Sequence, residues 1–108
     1  MEIILDVQGF RGPDNRFIVK KLASIAIQHD IDNIKELSYT LFQPPYHWKV
    51  LPTNYQRLNT CLIRNYHGIG WNAGTTSYNK LEEVLNYLTN NKKIIYVKGI
   101  EKKLWIQN

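Results

Sequence analysis

The first third of the chain contains three apolar β-type runs separated by dense turn signals, and this order limits the possible folds more than any other feature. The runs are Ile3–Val7, Phe17–Ile27 and Leu37–Leu41, and the turn signals are Arg11–Asn15 and His29–Asn33. Strands joined by tight turns pair antiparallel, and Pro44-Pro45 ends the third strand because proline cannot donate to a ladder. The pattern predicts a three-stranded antiparallel meander, with its most apolar strand, the first, at the centre.

Two segments with helical spacing follow the meander. The apolar residues of the first are Tyr55, Leu58, Leu62 and Tyr66, with Cys61 on the same flank and Gly68 and Gly70 ending the segment. Those of the second are Leu81, Val84, Leu85 and Leu88. Both sets predict one apolar stripe on an amphipathic helix. Asn79, with Glu82 three residues later, resembles a capping box at the start of the second helix.

The run Ile94–Val97 is short and continuously apolar, which predicts a buried strand. Because it follows a helix, it can lie parallel to the first strand through a crossover. Leu104-Trp105-Ile106 then closes the chain. The order β-β-β-α-α-β predicts a single α+β domain, residues 1–108, with helices packed against a mixed sheet.

Length and composition exclude several classes of protein. A chain of 108 residues favours one domain, and its 44% hydrophobic content excludes general disorder. A single cysteine, Cys61, excludes a secreted disulfide framework. No apolar run approaches the roughly 18 residues of a membrane span, and the N-terminus lacks the basic segment of a signal peptide. We therefore expect no membrane partner and an intracellular location, cytoplasmic or nuclear.

The net charge of +5 is confined to one half of the chain. Residues 1–54 carry equal numbers of acidic and basic side chains, so the whole excess lies in residues 55–108. This asymmetry predicts a face for phosphates or for an acidic partner, and the alternative is a basic, solvated surface. The basic residues predicted to contact nucleic acid are Arg57, Arg64, Lys98, Lys102 and Lys103.

Asp6 follows Ile3-Ile4-Leu5 within the most apolar strand, where a carboxylate is costly unless it is paired, hydrogen-bonded or bound to a metal. One hypothesis makes Asp6 a metal ligand, with Gln8 two residues on, on the same face. The other places Asp6 at an exposed edge or in a turn. An amide oxygen brings no charge, so Gln8 is a poor second ligand for Mg²⁺.

The glycine-punctuated segment Asn65–Gly74 contains His67 and Trp71. In one interpretation it is a binding loop, in which the Trp71 ring stacks on a base and the His67 imidazole donates a hydrogen bond or transfers a proton. In the other, Trp71 anchors a long loop to the core. No nucleophile–base pair or zinc spacing accompanies His67 in the sequence.

A rigid, aromatic-rich ridge, Pro44–Lys49, offers Tyr46, His47 and Trp48 as candidates for binding a protein partner. Trp48 is also a second candidate for the stacking ring. The alternative is that the ridge crosses the end of the sheet and packs its aromatic rings inward.

The segment Tyr96–Lys103 combines the end of a strand, a glycine and three lysines. If a short helix begins there, its backbone N–H groups with Lys98, Lys102 and Lys103 form an anion site. The alternative is a solvated basic turn. The spacing of a nucleotide P-loop is missing.

Five segments carry a resemblance over nearly the whole chain. They are Leu5–Phe10, Phe17–Ala23, Leu41–Tyr46, Asn65–Gly68 with Trp71, and Tyr96–Gly99 with Glu101-Lys102. Together they resemble a family of uncharacterised short proteins from arthropod genomes and their mobile or viral elements. The resemblance implies such an origin and says little about function, because the family is poorly described.

The chain is also similar, more weakly, to the RNase H-like fold of the DEDD 3′–5′ exonucleases. That fold carries an Asp-x-Glu metal pair on its first strand, then a meander, and a later strand-to-helix turn with another Asp. Asp6 matches the first acid, whereas Gln8 stands where the Glu belongs and Lys98-Gly99 stands near the later Asp. Two-metal chemistry needs several carboxylates, so the resemblance implies a shortened, degenerate fold without catalysis.

These observations favour a non-catalytic nucleic-acid-binding module without a cofactor, in which the basic residues contact phosphate and Trp71 or Trp48 stacks on a base. The alternative is a protein-interaction module, such as a viral or element-encoded inhibitor of a host factor. A metal-dependent nuclease using Mg²⁺ is a third hypothesis. A homodimer is compatible with each of them.

Overall fold

The computed structural model describes residues 2–28, 33–90 and 94–97. Its strands and α-helices are β1 (Glu2–Gly12), β2 (Arg16–Gln28), β3 (Asn33–Leu41), α1 (Thr53–Leu62), α2 (Leu81–Thr89) and β4 (Ile94–Val97). The predicted α+β class and the predicted order of elements are confirmed. Most of the turn predicted at His29–Asn33, the segment Lys98–Lys103 and Leu104-Trp105-Ile106 lie outside the described residues.

The four strands form one mixed sheet in the order β3-β2-β1-β4. β1 pairs antiparallel with β2, β2 pairs antiparallel with β3, and β1 pairs parallel with β4. The predicted meander and the predicted parallel crossover are both confirmed. β1 is central, as its apolar sequence predicts.

A β-bulge divides β2 and explains the mixed apolar pattern of that strand. Gln8 pairs with Lys21 and Gly9 pairs with Val19, so Lys20 is the extra residue. The bulge brings β2 so close to β1 that a Cβ atom on Gly9 would lie 2.0 Å from the carbonyl oxygen of Ile18. Glycine is therefore required opposite the bulge, and three consecutive β2 residues, Ile18–Lys20, are buried.

The main core lies between one face of the sheet and α2. Alternate residues of β1, Ile3, Leu5 and Val7, are buried there with Leu22 of β2 and Leu88 of α2. On the opposite face, Ile4 of β1 and Leu37 and Tyr39 of β3 are exposed. The named helices therefore leave an open sheet face, which is defined here by Ile4, Asp6, Lys21, Ala23, Ile25, Leu37 and Tyr39.

A second, aromatic core closes one end of the sheet. Phe10 of β1 and Ile18 of β2 are buried there against Leu51 and Trp71. The aromatic residues that pack around this centre are Tyr46, Trp48, Tyr55 and Tyr78. The segment between β3 and α1 and the loop after α1 are thereby fixed to the end of the sheet.

Two local predictions are wrong. A 3₁₀ turn, Tyr78–Lys80, runs directly into α2, so Asn79 lies inside the helical segment and does not cap it. The strand β4 is not buried, because it pairs with β1 at one end of the sheet order. Its residues Ile95 and Tyr96 are 39% and 48% exposed.

Candidate nucleic-acid interface

Helix α1 is attached to β1 by one buried amide side chain. Among the described residues, β1 pairs with β4 from Glu2 to Leu5, and Arg11 lies beyond that stretch. The side chain of Asn59 contacts the Arg11 backbone there: its Oδ1 accepts from the N–H of Arg11 at 2.9 Å, and its Nδ2 donates to the carbonyl of Arg11 at 2.8 Å. Asn59 thus takes the place of a neighbouring strand residue, and it is fully buried.

His67 makes the next contact with the same edge. It ends a π-helical turn, Ile63–His67, which continues directly from α1. Its Nδ1 lies 3.0 Å from the N–H of Ile69, which can only donate, so Nδ1 accepts. The proton is therefore on Nε2, which donates to the carbonyl of Gly9 at 3.1 Å. In this arrangement His67 is a neutral structural link, because both ring nitrogens are engaged.

A cleft of about 420 Å³ opens between the far end of β1 and the π turn. Polar, aromatic and basic side chains and one aliphatic side chain line it: Gln8, Phe10, Arg11, Phe17, Leu62, Asn65, Tyr66 and His67. We call this the β1–π cleft. Tyr66 is 77% exposed at its rim, although its spacing in the sequence predicts a place on the apolar stripe of the helix. The Arg11 guanidinium lies 5.6 Å from the centroid of the Phe17 ring.

The predicted phosphate-binding residues divide into two groups. Arg57 on α1 and Arg64 on the π turn are exposed on the same helical rod that carries Tyr66. Lys98, Lys102 and Lys103 lie outside the described residues, so their convergence with the arginines stays a prediction. A third basic residue of the second half, Lys80, forms an ion pair with Glu83 at 3.5 Å.

Trp71 is an anchor of the second core. It is 5% exposed, and its indole Nε1 donates to the carbonyl of Tyr46 at 3.1 Å. Its ring also lies edge to face with that of Trp48, at 5.4 Å between centroids. Of the two roles the sequence left open for Trp71, the structure shows the anchor. A buried ring offers no face to a base, so the stacking role predicted for Trp71 does not fit this arrangement.

The Pro44–Lys49 ridge crosses the end of the sheet and packs inward. Tyr46 and Trp48 are both half-buried against the second core. His47 is exposed, and its Nδ1 accepts from the N–H of Lys49 at 3.1 Å, which caps a 3₁₀ turn. Of the three residues predicted to bind a protein partner, His47 is exposed, whereas Tyr46 and Trp48 are half-buried.

Lys20, the bulged residue of β2, is buried without a carboxylate partner among its hydrogen bonds. Its Nζ donates to the carbonyl of Trp71 at 2.6 Å and to the carbonyl of Ala73. Burial lowers the pKa of Lys20 to about 8, because removal from water penalises the charged amine. The bond fixes the glycine-rich loop to the bulge, a role that the sequence did not indicate.

Asp6 lies on the open sheet face, half-buried, in a strand that is neither an edge nor a turn. The open face explains how an apolar central strand tolerates a carboxylate, since this face is not covered by α1 or α2. Gln8 is directed to the same side of the strand and reaches the β1–π cleft. Within the described residues, no group of three or more His, Cys, Asp and Glu side chains is placed to hold a metal ion.

Sequence reasoning missed Asn59, Arg11 and the exposed position of Tyr66. Asn59 interrupts the apolar spacing of α1, and its partner is the backbone of Arg11, 48 residues earlier in the chain. The proximity of Arg11 to Phe17 follows from the pairing of those two residues across the β1–β2 turn. The turn residues at Arg11–Asn15 were the signal in the sequence that could have predicted this pairing.

Comparison with family models, curated proteins and solved structures finds no match for this chain. No helix among the described residues is both long enough and apolar enough to cross a membrane.

Proposed function

We propose that this chain is a non-catalytic module that binds single-stranded nucleic acid along α1 and the β1–π cleft. The observation that carries the proposal is the exposed Tyr66 ring at the rim of a cleft that also contains a guanidinium and two amide groups. Nucleic-acid strands bind to proteins through aromatic rings that stack on bases and through basic groups that follow the phosphates.

The composition of the β1–π cleft suits an unpaired base. Tyr66 supplies an aromatic face at the entrance, and the side chains of Gln8 and Asn65 supply donors and acceptors for base edges. Arg11 adds a cation beside the Phe17 ring. A base inside a duplex has no free face to stack on Tyr66, so the cleft favours a single strand.

Two arginines on the helical rod can contact the phosphates of a nucleic-acid strand that extends away from the cleft. Arg57 and Arg64 are seven residues apart, which is roughly 10 Å along a helix. Both are exposed, and the rod that carries them ends at Tyr66 and the cleft. The excess of positive charge in residues 55–108 increases the attraction for phosphates.

The sheet supports the same proposal in a weaker way. The RNase H-like resemblance implies a first strand, a meander and a later strand, and the order β3-β2-β1-β4 is compatible with that arrangement. A degenerate relative of a nuclease would still bind nucleic acid, and Gln8 in place of the second carboxylate would remove its catalysis. Resemblance to mobile-element or viral proteins is compatible with a nucleic-acid partner as well.

The protein-interaction alternative receives less support from the Pro44–Lys49 ridge. Tyr46 and Trp48 turn their rings toward the second core, so the ridge lacks the exposed aromatic surface that the alternative requires.

The test is fluorescence anisotropy with a labelled single-stranded oligonucleotide of mixed sequence, measured over a series of salt concentrations. We expect affinity to fall as salt rises, with a smaller slope for Arg57→Ala/Arg64→Ala because two phosphate contacts are lost. Tyr66→Ala should lose about 1–3 kcal/mol of binding free energy with an unchanged salt slope. Lys49→Ala, an exposed substitution on the ridge, is the control and should match the wild type.

Two outcomes contradict the proposal. Absence of binding at about 50 mM salt, where phosphate contacts are strong, removes it. Degradation of the oligonucleotide with Mg²⁺ or Mn²⁺, lost in Asp6→Asn, makes the chain a nuclease.

A further inference from the structure

The outer edge of β3 carries backbone groups that point away from the sheet. The carbonyl of Leu41 accepts from the N–H groups of Thr75 and Thr76, which lie on the side away from β2. Because the backbone groups of an antiparallel strand alternate in direction, the N–H and carbonyl groups of Leu37 and Tyr39 point to this side as well. In the part of the chain that the structure describes, no strand pairs with β3 here.

This edge lacks the features that usually prevent a sheet edge from pairing. The segment Leu37–Leu41 contains neither a charged residue nor a proline. The side chains of Leu37 and Tyr39 are 69% and 68% exposed. The chain itself pairs with the next part of the edge, since Thr76 forms a parallel bridge with Phe42. The edge of β3 therefore accepts extended backbone.

A groove of about 530 Å³ runs beside this edge, between β3 and α2. Thr40 of β3 lines it together with Val84 and Tyr87 of α2, and Tyr87 is 71% exposed. A strand added to β3 directs alternate side chains to opposite faces. One set enters the groove, and the other lies beside Leu37 and Tyr39. Both sets meet apolar side chains, which favours an added segment that is apolar at consecutive positions.

We propose that β3 binds an extended apolar peptide segment of a partner protein as an added strand. Backbone hydrogen bonds to Leu37 and Tyr39 supply affinity, and the contacts on the two faces select the side chains. Pairing covers about four residues, or roughly 13 Å of strand. Thr75 lies beside Leu41 at one end, and the register of β3 shifts beyond Glu36 at the other.

The edge fits a peptide better than other occupants. When two copies of β3 pair antiparallel through Leu37 and Tyr39, the Thr75-Thr76 segment of each copy meets residues 33–35 of the other, because it lies on the same edge. A nucleic-acid strand has no alternating amide donors and carbonyl acceptors to offer. The inference is independent of the proposed nucleic-acid interface, since Tyr66 and the arginines lie on α1 and the π turn.

The probe for this inference is a phage-displayed library of random short peptides, selected against the chain. We expect enrichment of apolar, β-branched runs of about four residues without proline. An enriched peptide is then synthesised with a fluorescent label and in two N-methylated forms, each methylated on one of the two alternating sets of amides. The form that blocks the amides facing β3 should bind at least about tenfold more weakly, whereas the other should bind as the parent does.

Two substitutions of one residue test the same pairing on the protein side. Tyr39→Pro removes an outward N–H without removing a hydrogen bond to β2, and it should abolish peptide binding. Tyr39→Thr keeps the N–H and should retain measurable binding. In the free wild type, the amides of Leu37 and Tyr39 should exchange with solvent faster than those of Ser38 and Thr40, and the peptide should slow them. If the proline disturbs the fold, the two N-methylated peptides decide with the wild type.

Three results overturn the inference. The first is a selection without enriched sequences. The second is equal binding of the two N-methylated forms, which would show that the peptide backbone does not pair with β3. The third is slow exchange of Leu37 and Tyr39 without peptide, which would assign the edge to another segment of this chain or, if it depends on protein concentration, to a second copy.

Discussion

At the scale of single residues, the clearest structural role belongs to Asn59. Its amide bonds both the N–H and the carbonyl of Arg11, two partly buried polar groups. Two hydrogen bonds from one side chain to one backbone unit also fix the position of α1 relative to β1. The β1–π cleft exists because of this attachment and the one made by His67.

Replacing Asn59 by Ala should therefore cost about 1–3 kcal/mol of unfolding free energy, since two hydrogen bonds to partly buried backbone groups are lost. Urea denaturation measures the change. Asn54→Ala, an exposed asparagine of the same helix, is the matched control and should change stability by less than about 0.5 kcal/mol. Equal losses in the two variants would show that the Arg11 contact has no special importance.

Lys20 gives stability a dependence on pH. Its pKa falls from 10.5 to about 8 in the folded chain, so between those values the unfolded chain holds a proton that the folded chain has released. Stability must then rise with pH through this window, and the cost of burying the charge is fully present below about pH 8. Above about pH 10 the trend reverses, because burial raises the pKa of Tyr46 and of Tyr78.

We expect the free energy of unfolding to increase by about 2 kcal/mol from about pH 7 to about pH 9.5, at 1.36 kcal/mol per pH unit above the folded pKa. Urea denaturation across this range measures it. In Lys20→Met the increase should disappear, whereas Lys49→Met, at an exposed lysine, should keep it. If the free energy of unfolding of Lys20→Met still rises with pH, a group other than Lys20 causes the rise.

At the scale of elements, the strands were predictable because their signals are local. Apolar runs and turn residues define β1, β2 and β3, and the apolar run after a helix defines β4 and its parallel pairing. The apolar stripe of α1 was predicted less well. Leu58 and Tyr66, two of its four members, are exposed, because the buried face includes Asn59 and the π turn rotates the residues that follow. Neither effect can be predicted from the spacing of apolar residues.

The glycine-rich loop after the π turn illustrates an element held by long-range contacts. Gly74 has a φ of 127°, and a Cβ atom there would lie 2.4 Å from the carbonyl oxygen of Phe42. The adjacent N–H groups of Thr75 and Thr76 donate to the carbonyl of Leu41, at 3.1 Å each. The loop therefore runs against the end of β3, and glycine is required where the two backbones meet.

Gly74→Ala should destabilise the chain by about 1–3 kcal/mol, because the new methyl group meets backbone and the φ is strained. Gly70→Ala in the same loop is the control, since a Cβ atom there meets nothing within 4 Å. Thermal unfolding of both variants measures the difference in their stability. Similar melting temperatures would mean that the loop shifts away from β3 without cost.

At the scale of the whole molecule, the fold class followed from the order of elements, whereas the site did not. Its parts come from β1, β2 and the rod of α1 with the π turn, which are far apart in sequence. Composition indicated a basic second half, and two of its residues, Arg57 and Arg64, are exposed on the rod, where their contact with nucleic acid stays a prediction. It could not distinguish a buried ring, Trp71, from an exposed one, Tyr66, because both lie near glycines in the same segment.

The measurement that tests the central claim most directly is an NMR titration of the isotope-labelled chain with a short single-stranded oligonucleotide. Binding to the β1–π cleft predicts that the amide signals of Gln8–Arg11 and of Arg64–His67 shift progressively until saturation, while those of β3 change little. Shifts confined to Leu37–Leu41 and Ile4 would place the oligonucleotide on the open sheet face. That result, or a spectrum without any shift, would contradict the account.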